Sequence, residues 1–424
     1  MKEENNLYWI WLSSRFGIAS KEFPSFAEKL SDPYDVYRLT EEEIEQLSIS
    51  ERLKQRLCDK SLTDAYSTLK YCRTHKISII GYNDKRYPKR LRDIEDPPVL
   101  LYCMGRMPDM DRKLCVGIVG TRKMSEYGKQ SAYKISYELG AANVCVVSGM
   151  ALGVDGVSAC GAINAGGETV AVLGCGIAIT YPKEHQMLKK AIAANGAVIS
   201  EYPLFERPYP NNFPKRNRII SGLCKGVLVV EGTKGSGALI TASLAVAQGR
   251  EVFALPGKVD ESNSDGPNEL IRNGANVALC ATDIINHYDF VYHDTINFGR
   301  LARAKSKSDL SEKDLSRYGV CAKNQGVTKT ERTIVMEEEP SLRNTLVSDK
   351  KEKIENPTVL SSETDIELLD EETKKLYRLL PDGSFSPDAV VSDDMPIHRV
   401  MTGLTVLEIN GLVLSLPGGT YKKL

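Results

Sequence analysis

At 424 residues the chain exceeds one ordinary domain, and two or three are expected. Lys and Arg number 55 against 56 Asp and Glu, a formal net charge of −1, so any surface for a polyanion must be local rather than global. No stretch has the length and apolarity of a membrane span, the opening Met-Lys-Glu-Glu-Asn-Asn is no signal peptide, and the ten Cys form neither a Cys-x-x-Cys pair nor a zinc spacing.

Several of those cysteines (Cys115, Cys145, Cys175, Cys224, Cys280) lie in apolar runs, where a reduced thiol acts as a small hydrophobe. The expectation is a cytoplasmic protein with no metal, no cofactor and no membrane. Charge is uneven along the chain. Residues 77–290 hold 24 basic and 21 acidic side chains, whereas residues 363–424 hold 6 and 11.

Residues 1–75 read as a small helical domain of the SAM or helix-hairpin kind. Leu7 to Leu12 opens one helix, Phe23–Leu30 and Asp35–Leu39 suggest two more, and Thr40-Glu41-Glu42-Glu43 is a capping box before Ile44. A longer helical pattern runs from about Ser61 to His75.

From residue 76 to 290 the period changes. Short, nearly continuous apolar runs appear at Cys115–Val119, Val144–Val147, Val170–Leu173, Val198–Ser200, Val227–Val230, Val252–Leu255 and Val277–Leu279. Strands buried on both faces have this composition. Helical stretches lie between them, including Lys129–Leu139, Val157–Ala165, Glu184–Ala194, Ile219–Cys224, Ala238–Gln248 and Asn268–Asn273. The alternation predicts an α/β fold with a Rossmann-like parallel sheet, and ligands at the carboxyl ends of its strands.

Residues 291–364 are polar, aperiodic and poor in aromatics, as a mostly disordered linker is; the Thr333–Met336 patch is a candidate for local order. Residues 365–424 regain pattern. A helix around Leu368–Leu380, a second at Pro387–Val391, a third at Ile397–Leu407 and a terminal hairpin from Leu412 predict a winged-helix domain. Its acidic balance argues for a protein contact rather than for DNA.

Chemistry concentrates in the loops after the strands. These are Gly120-Thr121-Arg122-Lys123; Ser148-Gly149 through Asp155; Gly174-Cys175-Gly176 leading to Tyr181-Pro182-Lys183; and Glu231-Gly232-Thr233-Lys234-Gly235-Ser236-Gly237. Glycines let backbone N–H groups approach a ligand. The segment Asn212-Phe213-Pro214-Lys215-Arg216-Asn217-Arg218 adds three cations, two amides and an aromatic face on which a base can stack, at a helix start that already favours anions.

Packing alternatives stand beside these readings. Phe213 could be core, Gly235-Ser236-Gly237 a plain helix entry, and Arg216 and Arg218 could pair with Glu201, Glu206 or Glu231. The Walker pattern is absent, Gly117-x-x-Gly120 is not the dinucleotide fingerprint, and no Ser-His-Asp set is found. Asp155 and Glu231 could act as acid and base, but both also suit capping or Arg-pairing. Binding without turnover, rather than an enzyme, is the simpler account.

In these motifs the chain resembles the DNA-processing protein A family, also called Smf. The likeness covers roughly Tyr82 to Asp283. It is carried by Gly117-Ile118-Val119-Gly120-Thr121-Arg122, by Val147-Ser148-Gly149-Met150-Ala151-Leu152-Gly153-Val154-Asp155, by Tyr181-Pro182-Lys183-Glu184, by Asn212 to Leu223, and by Gly235 to Thr241 with Gln248 to Gly257.

The resemblance implies a protein that binds and protects incoming single-stranded DNA. It further implies transfer to a RecA-type recombinase in natural transformation, and homodimers formed through the Rossmann-like domain. By motif, Arg122, Lys183, Phe213, Arg216, Asn217 and Arg218 are the implied DNA contacts. Gly120, Thr121, Ser148, Gly149, Gly174, Gly176, Asn212, Lys215, Gly235, Ser236 and Gly237 complete the expected site.

Ala159 stands where the family often has His. His185 stands where it usually has Asn, which would make the rim titratable near pH 6.5. A Rossmann-like nucleotide hydrolase of the phosphoribohydrolase type is the alternative, on a faint likeness at Glu231-Gly232-Thr233-Lys234-Gly235.

Overall fold

Alternating burial decides the architecture. In the strand Cys115–Val119 (β3), Val116 and Ile118 face one apolar cluster while Cys115 and Val119 face another. Residues buried on both faces need a helical layer on each side of the sheet. The computed structural model describes residues 2–27, 32–320, 335–336, 371–392, 395–409, 412–416 and 420–423. They fall into two compact units, Met1–Val335 and Met336–Leu424.

The first unit is built on a nine-stranded sheet. Its strands are Ser78–Gly81 (β1), Leu100–Gly105 (β2), β3, Cys145–Ser148 (β4), Thr169–Val172 (β5), Gly196–Ser200 (β7), Gly226–Val229 (β8), Glu251–Ala254 (β9) and Asn276–Val277 (β10). A short pair of residues, Ile179–Thr180 (β6), stands outside that sheet. The order is β1-β2-β7-β5-β4-β3-β8-β9-β10. Every pairing from β7 to β10 is parallel.

Strands β1 and β2 are antiparallel additions at one edge. The apolar runs of the sequence do not predict them. Each of the seven strands those runs do predict is present, with ends moved by a residue or two.

The chain runs outward from β3 through β4, β5 and β7, then returns to the other side of β3 for β8, β9 and β10. The direction therefore reverses at β3 and β8. In open α/β sheets the crevice outside the carboxyl ends of strands at such a reversal is where ligands bind.

The N-terminal helices Lys2–Phe16 (α1) and Thr63–Thr74 (α2) flank short helical turns. The Thr40 capping box is present, with Thr40 N–H donating to Glu43 at 2.8 Å and Glu43 N–H donating to Thr40 Oγ1 at 3.3 Å. These helices share a hydrophobic cluster with the sheet rather than standing apart from it. Phe23 meets Tyr82 edge-on at 5.2 Å.

One face of the sheet carries Glu126–Ala141 (α3), Val154–Asn164 (α4) and Gln186–Ala194 (α5); the other carries Asn212–Leu223 (α6), Gly237–Ala247 (α7) and Asp265–Arg272 (α8).

Part of the segment expected to be a mostly disordered linker is ordered. Phe298–Ala304 and Glu312–Ser316 are helical, and Leu301, Ala304, Leu315 and Val320 are buried. Sparse apolar residues suffice there because they meet the exposed flank of α3 and α4. The remainder of the expected linker lies outside the described residues, apart from a two-residue strand at Val335–Met336.

In the second unit, Glu371–Leu379 and Ile397–Ile409 are helices, with a 3-10 turn at Pro387–Val390 between them. Ser384–Phe385, Thr420–Lys423 and Val413–Leu416 form an antiparallel sheet in that order.

Candidate nucleic-acid interface

The helix α6 starts at Asn212, seven residues earlier than the apolar pattern alone indicated. The cations of this segment therefore occupy its first two turns, spaced around the helix axis rather than strung along a loop. That spacing sends them to different places.

Phe213 is half-buried and is held from several sides. The guanidinium carbons of Arg122 and Arg216 lie 5.5 and 5.9 Å from its ring centroid. Tyr181 stands 5.6 Å away at 42°. Beneath it is Gly174, where a Cβ would stand 2.8 Å from the ring. Cations over an aromatic face attract it by about 0.5–2 kcal/mol each.

Arg216 points inward. It is 4% exposed and donates from Nη1 to the carbonyls of Gly149 (2.9 Å) and Val172, and from Nε to Asn217 Oδ1 (3.2 Å). A Cβ on Gly149 would run into its guanidinium. Burial pulls its pKa below the ordinary arginine value, and Asp155 opposes that shift. Asp155 in turn accepts the N–H of Gly149 at 2.9 Å, so one carboxylate fixes the loop after β4 and faces the buried charge.

Arg218 is equally buried. It forms two hydrogen bonds with the Glu201 carboxylate, at 3.0 and 2.7 Å, and pairs through Nε with Asp96 at 2.9 Å. Burial alone would lower its pKa, but Glu201 and Asp96 hold it above the ordinary value. The expected DNA contact is thus a structural ion pair at this position.

Three other expected contacts also face inward. Ser148 is fully buried, its hydroxyl directed to the Asp155 carbonyl at 3.4 Å. Asn217 uses its amide N–H on the Gly237 carbonyl at 3.3 Å and its oxygen on Arg216. Gly176 is packed against the Pro203 and Leu204 carbonyls and donates to Glu206 O at 2.9 Å.

The remaining expected residues stay at the rim. Gly120 and Thr121 join the loops after β3 and β8, since Thr121 N–H donates to Glu231 O at 2.8 Å. Arg122, Lys183 and Lys215 are exposed. Lys183 begins a short 3-10 helix two residues after Tyr181, and therefore belongs to the edge that Phe213 occupies. Asn212 donates from Nδ2 to Arg207 O at 3.3 Å. Gly235 takes a positive φ of 76°, a conformation that favours glycine. It leads through Ser236 to Gly237 at the start of α7.

His185 does not make the rim titratable. It is buried, its Nδ1 lies 3.0 Å from Met150 O, and burial lowers its pKa from 6.5. The two acids are engaged as well. Glu231 is buried and accepts the N–H of Ser125 at 2.8 Å and its hydroxyl, which fixes the start of α3. The hydrolase alternative therefore gains no free carboxylate from Glu231 or Asp155. Among the described residues no cluster of His, Cys, Asp and Glu fit to hold a metal occurs, and no helix is long and apolar enough to cross a membrane.

A family model described as DNA recombination-mediator protein A matches residues 78–289, which spans the whole sheet and α6. The chain belongs to that family. The chain is 42% identical to the DNA processing protein DprA of Bacillus subtilis over 212 residues, covering 50% of this chain and 71% of that protein. It is 38% identical to DprA of Streptococcus pneumoniae over 229 residues, covering 54% and 79%. The X-ray structure of the Streptococcus pneumoniae protein superposes with a TM-score of 0.57 at 31% identity, over 66% of this chain and 97% of that one.

Within this member of the DNA recombination-mediator protein A family, Tyr181 is the rim residue that motif reading passed over. Its signal was an aromatic directly before Pro182-Lys183 on a loop already assigned to the edge. Of the roles open to Asp155, the structure shows loop capping, at the Gly149 and Ala151 N–H groups, and a position facing Arg216.

Proposed function

We propose that this chain binds single-stranded DNA in the cytoplasm of a bacterium, protects it, and passes it to a RecA-type recombinase during natural transformation. The observation that carries the reading is Phe213, half-exposed at the carboxyl edge of the sheet with Arg122 beside it and Arg216 and Gly174 behind it. An aromatic face with a cation at its rim accepts an unpaired base and its phosphate. Stacking contributes roughly 1–3 kcal/mol per base and tolerates sequence. A duplex keeps its bases stacked on one another and cannot offer one to the ring.

In this reading Arg122, Lys183 and Lys215 take phosphates, while Arg216 holds the platform. Membership of a recombination-mediator family supports both the DNA ligand and the recombinase partner. The test is a titration with short oligo-dT at two salt concentrations. Arg122→Ala should weaken binding and reduce the slope of log affinity against log salt by about 0.7. An unchanged slope and affinity would remove Arg122 from the site.

We also propose a homodimer through the β10 edge. Val277 and Leu279 are 47% and 67% exposed there, and Val246 on α7 is 65% exposed. An unpaired edge strand with exposed apolar side chains is a surface that a second chain can cover. The second unit, read as a winged helix with an acidic balance, is proposed to contact protein.

A further inference from the structure

We propose that Tyr209 is a second base-stacking station of the site, with Arg207 and Lys215 taking the phosphates that flank the two rings; resting on the single-strand reading above, this extends the site to consecutive nucleotides. Tyr209 is 52% exposed, and aromatic rings in a folded chain are usually covered over most of their area. Its position is fixed all the same. Pro208 and Pro210 flank it and restrict the backbone.

The turn from Tyr209 to Phe213 is closed by hydrogen bonds. Tyr209 N–H donates to Arg207 O at 2.8 Å, Asn212 N–H to Tyr209 O at 3.0 Å, and Phe213 N–H to Pro210 O at 3.3 Å. Asn212 Nδ2 donates to Arg207 O at 3.3 Å, and Tyr202 donates from its hydroxyl to Asn212 O at 3.0 Å. A rigid backbone presents an exposed ring with only two side-chain torsions left to order on binding.

The order along this turn is cation, aromatic, aromatic, cation: Arg207, Tyr209, Phe213, Lys215, with both cations exposed. Single-strand binders combine charge along the backbone path with faces for successive bases. The ligand this arrangement takes is an unpaired polynucleotide of any sequence, with neighbouring bases on the two rings.

The experiment uses the full chain and oligo-dT of increasing length, by fluorescence polarisation at several salt concentrations. Tyr209→Ala should lower affinity about fivefold or more with an unchanged salt slope. Tyr209→Phe should bind as the wild type does, since the face and not the hydroxyl is used. Arg207→Ala should reduce the salt slope by about 0.7.

Tyr209→Trp supplies an independent readout, because Trp9 and Trp11 are buried in the N-terminal helices: the emission this variant gains over the wild type should be quenched on adding oligo-dT. Wild-type affinity in Tyr209→Ala together with weakened binding in Phe213→Ala would overturn the second station while leaving the site intact. Unquenched emission from the Tyr209→Trp variant at saturation would overturn it too. Failure of the wild type to bind any oligo-dT would instead bring down the single-strand reading and the second station together.

Discussion

Phe213 is one residue whose surroundings explain several others. A Cβ on Gly174 would meet the ring, buried Arg216 faces the ring and two carbonyls, and exposed Arg122 lies over the ring from the solvent side. Phe213→Ala should lower oligo-dT affinity about thirtyfold, the middle of the range for one stacked base, measured by polarisation; an affinity within a factor of two of wild type would contradict the stacking role.

His185 yields a prediction of a different kind. Its folded pKa is lowered by burial from 6.5, so the unfolded chain takes up a proton that the folded chain refuses. The associated stability is present above pH 6.5 and is lost as pH falls below it. The urea midpoint of the wild type should therefore drop between about pH 7.5 and about pH 5.5, either side of the usual His value. In His185→Asn the drop should be smaller, and an equal drop in both proteins would contradict the assignment.

At the scale of the element, α6 distributes one run of cations among three environments. Lys215 goes to water, Arg216 to backbone carbonyls and Phe213, and Arg218 to Glu201 and Asp96. Arg218→Met leaves the buried Glu201 carboxylate and the half-buried Asp96 without their partner, and breaking a buried pair in this way costs about 3–5 kcal/mol. Urea unfolding should show a loss of that order, while the folded fraction keeps the wild-type salt slope for DNA. A change in slope with no change in stability would return Arg218 to the rim.

Gly174→Ala places a methyl 2.8 Å from the Phe213 ring, so it should lower oligo-dT affinity toward that of Phe213→Ala. Wild-type affinity in that variant would mean the ring does not need its present seat. The segment's importance was legible from its composition, and a pairing with Glu201 was open to both Arg216 and Arg218, but which of them takes it was not. The acids that claim Arg218 stand on other elements, and nothing local distinguishes residue 216 from 218. Helix start was also obscured, because Pro214 and the charges break the apolar pattern that marks Ile219 to Leu223.

At the scale of the whole molecule, the parallel strands were legible because each is apolar on both faces, a demand that only a doubly covered sheet makes. The β1 and β2 edge was not, since Ser78–Gly81 holds only two apolar side chains and Leu100–Gly105 follows a Pro pair with no period of its own. Helices at Phe298–Ala304 and Glu312–Ser316 escaped for a related reason: four buried side chains anchor them, too few to show as a pattern.

The uneven charge of the chain leads to a further prediction. Deleting residues 363–424, which carry 11 acidic and 6 basic side chains, should leave most of the DNA affinity in place, as judged by polarisation with the truncated chain. A large loss would transfer DNA binding to the second unit. The most direct measurement compares matched single-stranded and double-stranded oligonucleotides on the full chain at one salt concentration. Clearly tighter binding of the single strand is the predicted result, and equal affinity for the two would contradict a site built to receive an unpaired base.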